Sequence, residues 1–247
     1  MAPTDKEQIG LAGILVVDKP EGWSSFGVVA RVRRAARGAK TGHAGTLDPL
    51  ATGVLVLALG PATRSIERLM ATDKRYRTVV DLSAFTTTDD REGERTEVAA
   101  SPPERAAVEA VLARFRGVIQ QEPPAFSAMK VGGVRAYRLA RDGAPPVLPP
   151  RPVRIDRLEL LRYEWPLAEL EVHCGKGTYI RSLARDLGKA LGTGGHCASL
   201  RRTAVGPFDE SMAKPLADLP AQLGASDLVP LAEALRMVEV AASAGGG

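Results

Sequence analysis

The longest unbroken apolar stretch in this chain is residues 54–59, Val54-Leu55-Val56-Leu57-Ala58-Leu59, and its brevity limits the folds open to the sequence. A helix that crosses a bilayer needs about 18 or more consecutive apolar residues, so no membrane span is expected. A run this short suits a strand buried on both faces. The 247 residues suffice for one large domain, or for one domain with a small appendage. Residues 1–12 read as a flexible N-terminus; the first ten are polar and mixed in charge, unlike a secretory signal.

Short elements surround that run. Residues 14–17 read as another buried strand, broken by Asp18-Lys19-Pro20-Glu21-Gly22. Ser24 or Ser25 can cap a helix over about 26–37, with Val28, Val29 and Val32 as its apolar face. Its far end carries Arg31, Arg33, Arg34, Arg37 and Lys40 without an acid, which suits either a solvated helix end or a surface for RNA. Helices are expected over 62–70, 103–115, 136–142, 178–191 and 230–240, and strands over 75–82, 153–163, 168–174 and 199–205. Residues 122–152 differ in character. They contain seven prolines, Gly132-Gly133, and the cations Lys130, Arg135, Arg138, Arg141 and Arg151, as an exposed, movable insertion would. Long excursions between strands, with at least one hairpin, predict an α+β fold: a mixed, largely antiparallel central sheet flanked by helices.

The charge is uneven. Residues 1–205 hold 31 Lys/Arg against 23 Asp/Glu, and residues 206–247 hold 2 against 6. Arginine supplies 25 of the 33 cations, and its planar fork suits phosphate and stacks on bases. The basic body points to a polyanionic partner. Cys174 and Cys197 read as reduced, partly buried thiols. Together with His173 and His196 they lack zinc-finger spacing, so no metal is expected. No glycine-rich nucleotide-binding fingerprint is present, so no cofactor is expected either.

The segment richest in chemical content is Gly42-His43-Ala44-Gly45-Thr46-Leu47-Asp48-Pro49-Leu50-Ala51-Thr52-Gly53. It sets one carboxylate, Asp48, in a glycine-bracketed loop just before a buried strand. Pro49 restricts Asp48 towards extended backbone, and the glycines allow a ligand close approach. On these grounds alone Asp48 is either a catalytic carboxylate or a turn former bonded to its own backbone.

This segment resembles the catalytic motif of the bacterial tRNA pseudouridine-55 synthase (TruB) family. Four further stretches resemble that family's motifs in order: residues 13–20, Asp73-Lys74-Arg75-Tyr76-Arg77, Ser127-Ala128-Met129-Lys130, and residues 175–188 followed by Leu200-Arg201-Arg202. The resemblance spans about residues 13–208. It implies the pseudouridine synthase fold, with residues 122–152 as an RNA-clamping insertion, and isomerisation of uridine 55 in the tRNA T-loop without a cofactor. Asp48 then matches the nucleophile acting on a flipped-out base. Tyr76 matches the tyrosine stacked on uracil, Tyr179 a candidate for removing the C5 proton, and Arg181 the aspartate's partner. His43 matches the histidine associated with base extrusion, and Leu200 an apolar wall of the uracil pocket. Lys19 and Lys130 match supporting or RNA-binding positions.

The resemblance further implies a tRNA T-arm stem-loop as partner, a cytoplasmic monomer, and no obligate protein partner. Many family members carry an additional C-terminal RNA-binding domain. Here residues 209–240 read as a short extension without a complete domain of that type, and 241–247 as a disordered tail. Two other readings stand beside it: a tRNA-folding chaperone in which catalysis is secondary, and a synthase acting on another RNA uridine. The guide-RNA-dependent synthases share the Asp motif, but this chain is short for them.

Overall fold

A computed structural model describes residues 11–127, 129–144 and 146–244, and of Lys130, Val131, Arg135 and Ala244 only the backbone. The first half of the chain runs β1 (Gly13–Lys19), α1 (Ser25–Ala35), β2 (Thr41–His43), β3 (Thr52–Leu59), α2 (Ile66–Met70), β4 (Lys74–Asp81), β5 (Ala84–Thr86), β6 (Arg95–Glu97), α3 (Arg105–Ala113) and β7 (Gly117–Gln121). There follow β8 (Lys130–Val131), β9 (Val134–Arg135), α4 (Ala136–Arg141), β10 (Arg151–Glu164), β11 (Leu167–Cys174), α5 (Ile180–Leu191), β12 (His196–Val205), β13 (Phe208–Asp209), β14 (Lys214–Pro215) and α6 (Leu231–Ala244).

The described residues pack as two compact units, one within 11–74 and 201–244, the other within 75–200. In the first, β1 and β3 pair antiparallel from Gly13↔Leu59 to Lys19↔Gly53. β3 also pairs antiparallel with β2 and parallel with the second half of β12, at Arg201↔Thr52 and Arg202↔Gly53. β14 adds a parallel edge on β1. The apolar run of β3 has no alternation because both its faces are covered: residues 54–59 are fully buried. Ile14, Val16, Val54, Val56 and Ala58 pack with Phe208 and with Ala234 of α6. Ser24 caps α1, its hydroxyl accepting from the Gly27 N–H at 3.0 Å, and the helix buries Val28, Val32 and Ala35.

In the second unit β10 and β11 form a long antiparallel hairpin, and β7 pairs antiparallel with the start of β10, from Arg151↔Gln121 to Ile155↔Gly117. α5 buries a broad face that includes Ile180, Leu183, Ala184 and Leu187 and ends at Gly192. Both units mix helix with largely antiparallel sheet, so the expected α+β class holds.

Of the boundaries that differ from those read in the sequence, three have a plain physical reason or bear on the site. β10 begins at Arg151, inside the expected insertion, because β7 offers it an edge; Pro152, which has no N–H to give, stands opposite Gln120. β12 begins at His196 rather than at residue 199, with His196 and Cys197 buried. α6 continues to Ala244, into the stretch expected to be disordered, carried by the helix-favouring Ala241 and Ala242. Within the insertion β8 and β9 form a short hairpin leading into α4.

Candidate active site

Asp48 lies in the loop joining β2 to β3, partly exposed. Its own C=O accepts from the Ala51 N–H at 3.1 Å, closing a turn with Pro49 second in line, where its fixed φ suits the bend. Three buried side chains hold this loop. The hydroxyl of Ser25, at the start of α1, donates to the Leu47 C=O at 2.9 Å and accepts from the Leu47 N–H at 2.8 Å. The Lys19 ammonium, at the end of β1, donates to the C=O groups of Pro20 (3.0 Å), Trp23 (2.6 Å) and Pro49 (3.3 Å). Arg202 of β12 donates from Nε to the Val54 C=O at 2.8 Å and from Nη2 to the Gly45 C=O at 3.1 Å. The residues on either side of Asp48 are therefore pinned by Ser25 and Lys19, and the base of the loop by Arg202.

Lys19 has no exposed surface. Its ammonium is committed to carbonyls under the loop, which suits the supporting one of the two roles expected of it. His43 ends β2 at the head of the same loop. Its ring lies edge-on to Phe26, with centroids 5.6 Å apart and planes at 80°, and its Nδ1 is buried without a hydrogen-bond partner among the described residues. Burial, and after it the charge of Arg202, hold the His43 imidazole below its ordinary pKa, so a neutral ring is favoured near neutral pH.

The second unit carries the other expected residues. Tyr76 is on β4, largely buried. Tyr179 precedes the first turn of α5. The Gln121 amide grips its backbone twice, Oε1 accepting from the Tyr179 N–H at 2.8 Å and Nε2 donating to the Tyr179 C=O at 3.1 Å. The Arg151 guanidinium lies 5.2 Å from the Tyr179 ring centroid and donates to the Gly177 C=O at 2.6 Å. Arg181, two residues on, is buried. It donates to the C=O groups of Thr88 (3.0 Å) and Phe126 (2.8 Å) and pairs with Asp90 at 3.5 Å. One turn later Arg185 pairs with Asp89 at 2.7 Å and donates to the Glu122 C=O at 2.8 Å. Burial raises the Asp89 pKa, against the opposing charges of Arg185 and Arg181. Leu200 is buried near the middle of β12. Lys130 is in β8, and its side chain lies outside the described residues.

The structure thus brings Lys19, His43 and Asp48 together around one loop of the first unit, and Tyr179 and Arg181 together at the head of α5 in the second. Sequence reasoning missed Ser25 as more than a helix cap, Arg202 as more than a trailing arginine, Arg151 as more than one cation of the insertion, and Gln121 and Asp90 altogether. Each acts through a contact distant along the chain. The one available signal was the basic doublet Arg201-Arg202 in an apolar strand. Arg201 forms a fork with Asp18, at 3.1 and 2.9 Å. Among the described residues no group of His, Cys, Asp or Glu could hold a metal, and both cysteines are buried.

Residues 33–180 match the model of the TruB family pseudouridylate synthase N-terminal domain, and residues 181–241 that of the tRNA pseudouridylate synthase B C-terminal domain. Curated relatives called tRNA pseudouridine synthase B include one from Rhizobium meliloti, 49% identical over 85% of this chain and 67% of its own length. Another, from Cereibacter sphaeroides, is 54% identical over 81% of this chain and 66% of its own. The chain therefore spans about two thirds of the length of these relatives. Among solved structures, a Cbf5-Nop10-Gar1 complex contains a chain 31% identical with a TM-score of 0.68, matched over 88% of this chain and 56% of that one.

Proposed function

The chain belongs to the TruB family of pseudouridylate synthases, and from that premise we propose that it isomerises uridine 55 in the T-loop of tRNA to pseudouridine, with Asp48 as the nucleophile. The observation that carries the reading is the clamped loop: the carboxylate that matches the family motif stands between two residues, Leu47 and Pro49, whose backbones are fixed by buried side chains. A nucleophile held this way keeps its aim while the base moves, which lowers the cost of reaching the reactive geometry.

The reaction breaks the bond from N1 of uracil to C1′ of ribose and rejoins C1′ to C5. N1 gains a proton and C5 loses one, so nothing is oxidised or reduced. Asp48 holds one fragment covalently while the base turns. Tyr76 supplies an aromatic face for the flipped uracil, and Leu200 an apolar wall. Tyr179, gripped by Gln121 and Arg151, is the candidate for the C5 proton. Arg181 is the guanidinium that the family resemblance assigns as the aspartate's partner, a role its planar fork suits. His43 occupies space left by the extruded base, a role that a neutral ring serves well. Lys19 supports the loop, and Lys130 with the proline-rich segment closes on RNA.

The arginine-rich body supports an RNA substrate, here a T-arm stem-loop bound by a cytoplasmic monomer that needs no obligate protein partner. No described helix is long and apolar enough to cross a membrane. We place the catalytic domain at about residues 13–208.

Tritium release from T-arm stem-loop RNA labelled with tritium at uridine C5 tests the reading, with wild type and Asp48→Asn side by side. Release by wild type and none by Asp48→Asn is the expected result. A folded wild type that binds the stem-loop and releases nothing would overturn the assignment and leave a tRNA chaperone, for which Asp48→Asn should be silent.

A further inference from the structure

The exposed face of α1 is built differently from the buried one. Val28, Val32 and Ala35 point inward, whereas Phe26, Ala30, Arg33 and Arg34 are exposed, and their spacing puts them on the opposite stripe of the helix. Arg37, two residues beyond the helix, is exposed as well. Phe26 is 65% exposed and Trp23, immediately before the cap, 41%. Large aromatics left this open at a helix start are unusual, because burial would otherwise recover their hydrophobic energy. The helix has no acid in its first turn and Arg33 and Arg34 in its last. Arg33, Arg34 and Arg37 form no ion pair among the described residues.

The aromatic end of this stripe is joined to the Asp48 loop. The Gly22 N–H donates to the Pro49 C=O at 2.9 Å, Lys19 bridges the C=O groups of Trp23 and Pro49, and Phe26 stands edge-on to His43. From Phe26 to Arg34 is eight residues of helix, about 12 Å at 1.5 Å per residue.

We infer that the outer face of α1 is a docking surface for the substrate RNA, on which Trp23 and Phe26 stack against an unstacked base beside the target uridine and Arg33, Arg34 and Arg37 take the phosphates of the adjoining strand. The inference rests on the proposed synthase function. Extruding a base strips its neighbour of a stacking partner, and an exposed aromatic next to the catalytic loop can replace it. Base stacking tolerates any sequence, and phosphate contacts carry no sequence information, so the surface fixes register and leaves the choice of uridine to the site. Charge complementarity selects RNA as the occupant: three guanidiniums without an ion pair among the described residues face outward beside the ring pair.

The test measures the Kd of an end-labelled T-arm stem-loop by filter binding across a salt series, with tritium release by wild type from C5-labelled RNA run in parallel. Arg33→Gln/Arg34→Gln should raise Kd about tenfold and flatten the dependence of log K on log salt by about 0.7–0.9 per lost phosphate contact. Phe26→Ala should weaken binding several-fold without changing that slope, Phe26→Trp should restore it, and Phe26→Leu should not. Melting temperatures within a few degrees of wild type establish that the variants fold. Kd and slope unchanged in both variants overturn the docking surface, and leave the synthase reading intact if wild type still releases tritium. If wild type does not bind the stem-loop at all, the surface falls, and the absence of tritium release identifies the failure of the functional reading itself.

Discussion

The hydroxyl of Ser25 donates to the Leu47 C=O at 2.9 Å and accepts from the Leu47 N–H at 2.8 Å, so one buried side chain satisfies both backbone groups of the residue before Asp48. Ser25→Ala leaves both groups unpaired in a buried place, where each costs about 1–3 kcal/mol. The loop can relieve that cost by shifting, which displaces Asp48. The expected outcome is a fall in kcat of about 10- to 100-fold, with stem-loop affinity within threefold of wild type and partial recovery in Ser25→Thr. If the melting temperature falls and kcat does not, the clasp serves stability alone.

The same contact shows what the sequence could and could not disclose. Local signals were readable: the apolar run of β3, the serine cap of α1, and the glycine after α5 each act within a few residues. The position of Asp48 was legible through its motif. The clamp on its loop was not, because Ser25 and Leu47 are 22 residues apart, Lys19 and Pro49 30, and Arg202 and Gly45 157. Nothing in composition or periodicity encodes such pairings. For Lys19 the sequence left support and RNA binding side by side, and only the carbonyls gathered around its ammonium explain how it is buried. The boundary of β10 was missed because strand pairing with β7, not local preference, sets it.

His43 gives a pH-dependent prediction. Burial first, and Arg202 second, lower its pKa from the ordinary value of 6.5. The unfolded chain therefore binds the proton before the folded one does. The contribution of His43 to stability is intact above about pH 6.5 and is lost as pH falls through that value towards the folded pKa. NMR titration of the His43 ring should give a midpoint below 6.5, and His43→Phe should reduce the loss of stability on the acid side. A midpoint at or above 6.5 would contradict the burial argument.

Arg181 supports a second kinetic prediction. Its fork serves the Thr88 and Phe126 carbonyls and the Asp90 carboxylate at once. Lysine keeps the charge but not the planar fork, so Arg181→Lys strands at least one buried acceptor. The turnover measured by tritium release should drop roughly 100-fold, equivalent to about 2.7 kcal/mol. Asp90→Asn should also slow turnover, and the double variant should cost clearly less than the two single effects combined, as residues in one network do. Full additivity would show that the pair does not act as a unit.

The join of β3 to β12 yields a contrast between two glycines. Gly53 has φ +98, and a Cβ there would lie 2.2 Å from the Arg202 carbonyl oxygen and 2.9 Å from its nitrogen. Both obstacles are backbone, so neither can rotate away. Gly22 has φ +79, and a Cβ there would meet nothing within 4 Å. Gly22→Ala carries only conformational strain, on the order of 1–2 kcal/mol, which lowers the melting temperature by a few degrees. Gly53→Ala adds the clash and must push β3 from β12, loosening the hold of Arg202 on Val54 and Gly45 at the base of the Asp48 loop. It should melt far below Gly22→Ala, and any protein that folds should lose amide-exchange protection along residues 52–56. Equal melting temperatures for the two variants would mean that β3 and β12 part more easily than their packing indicates.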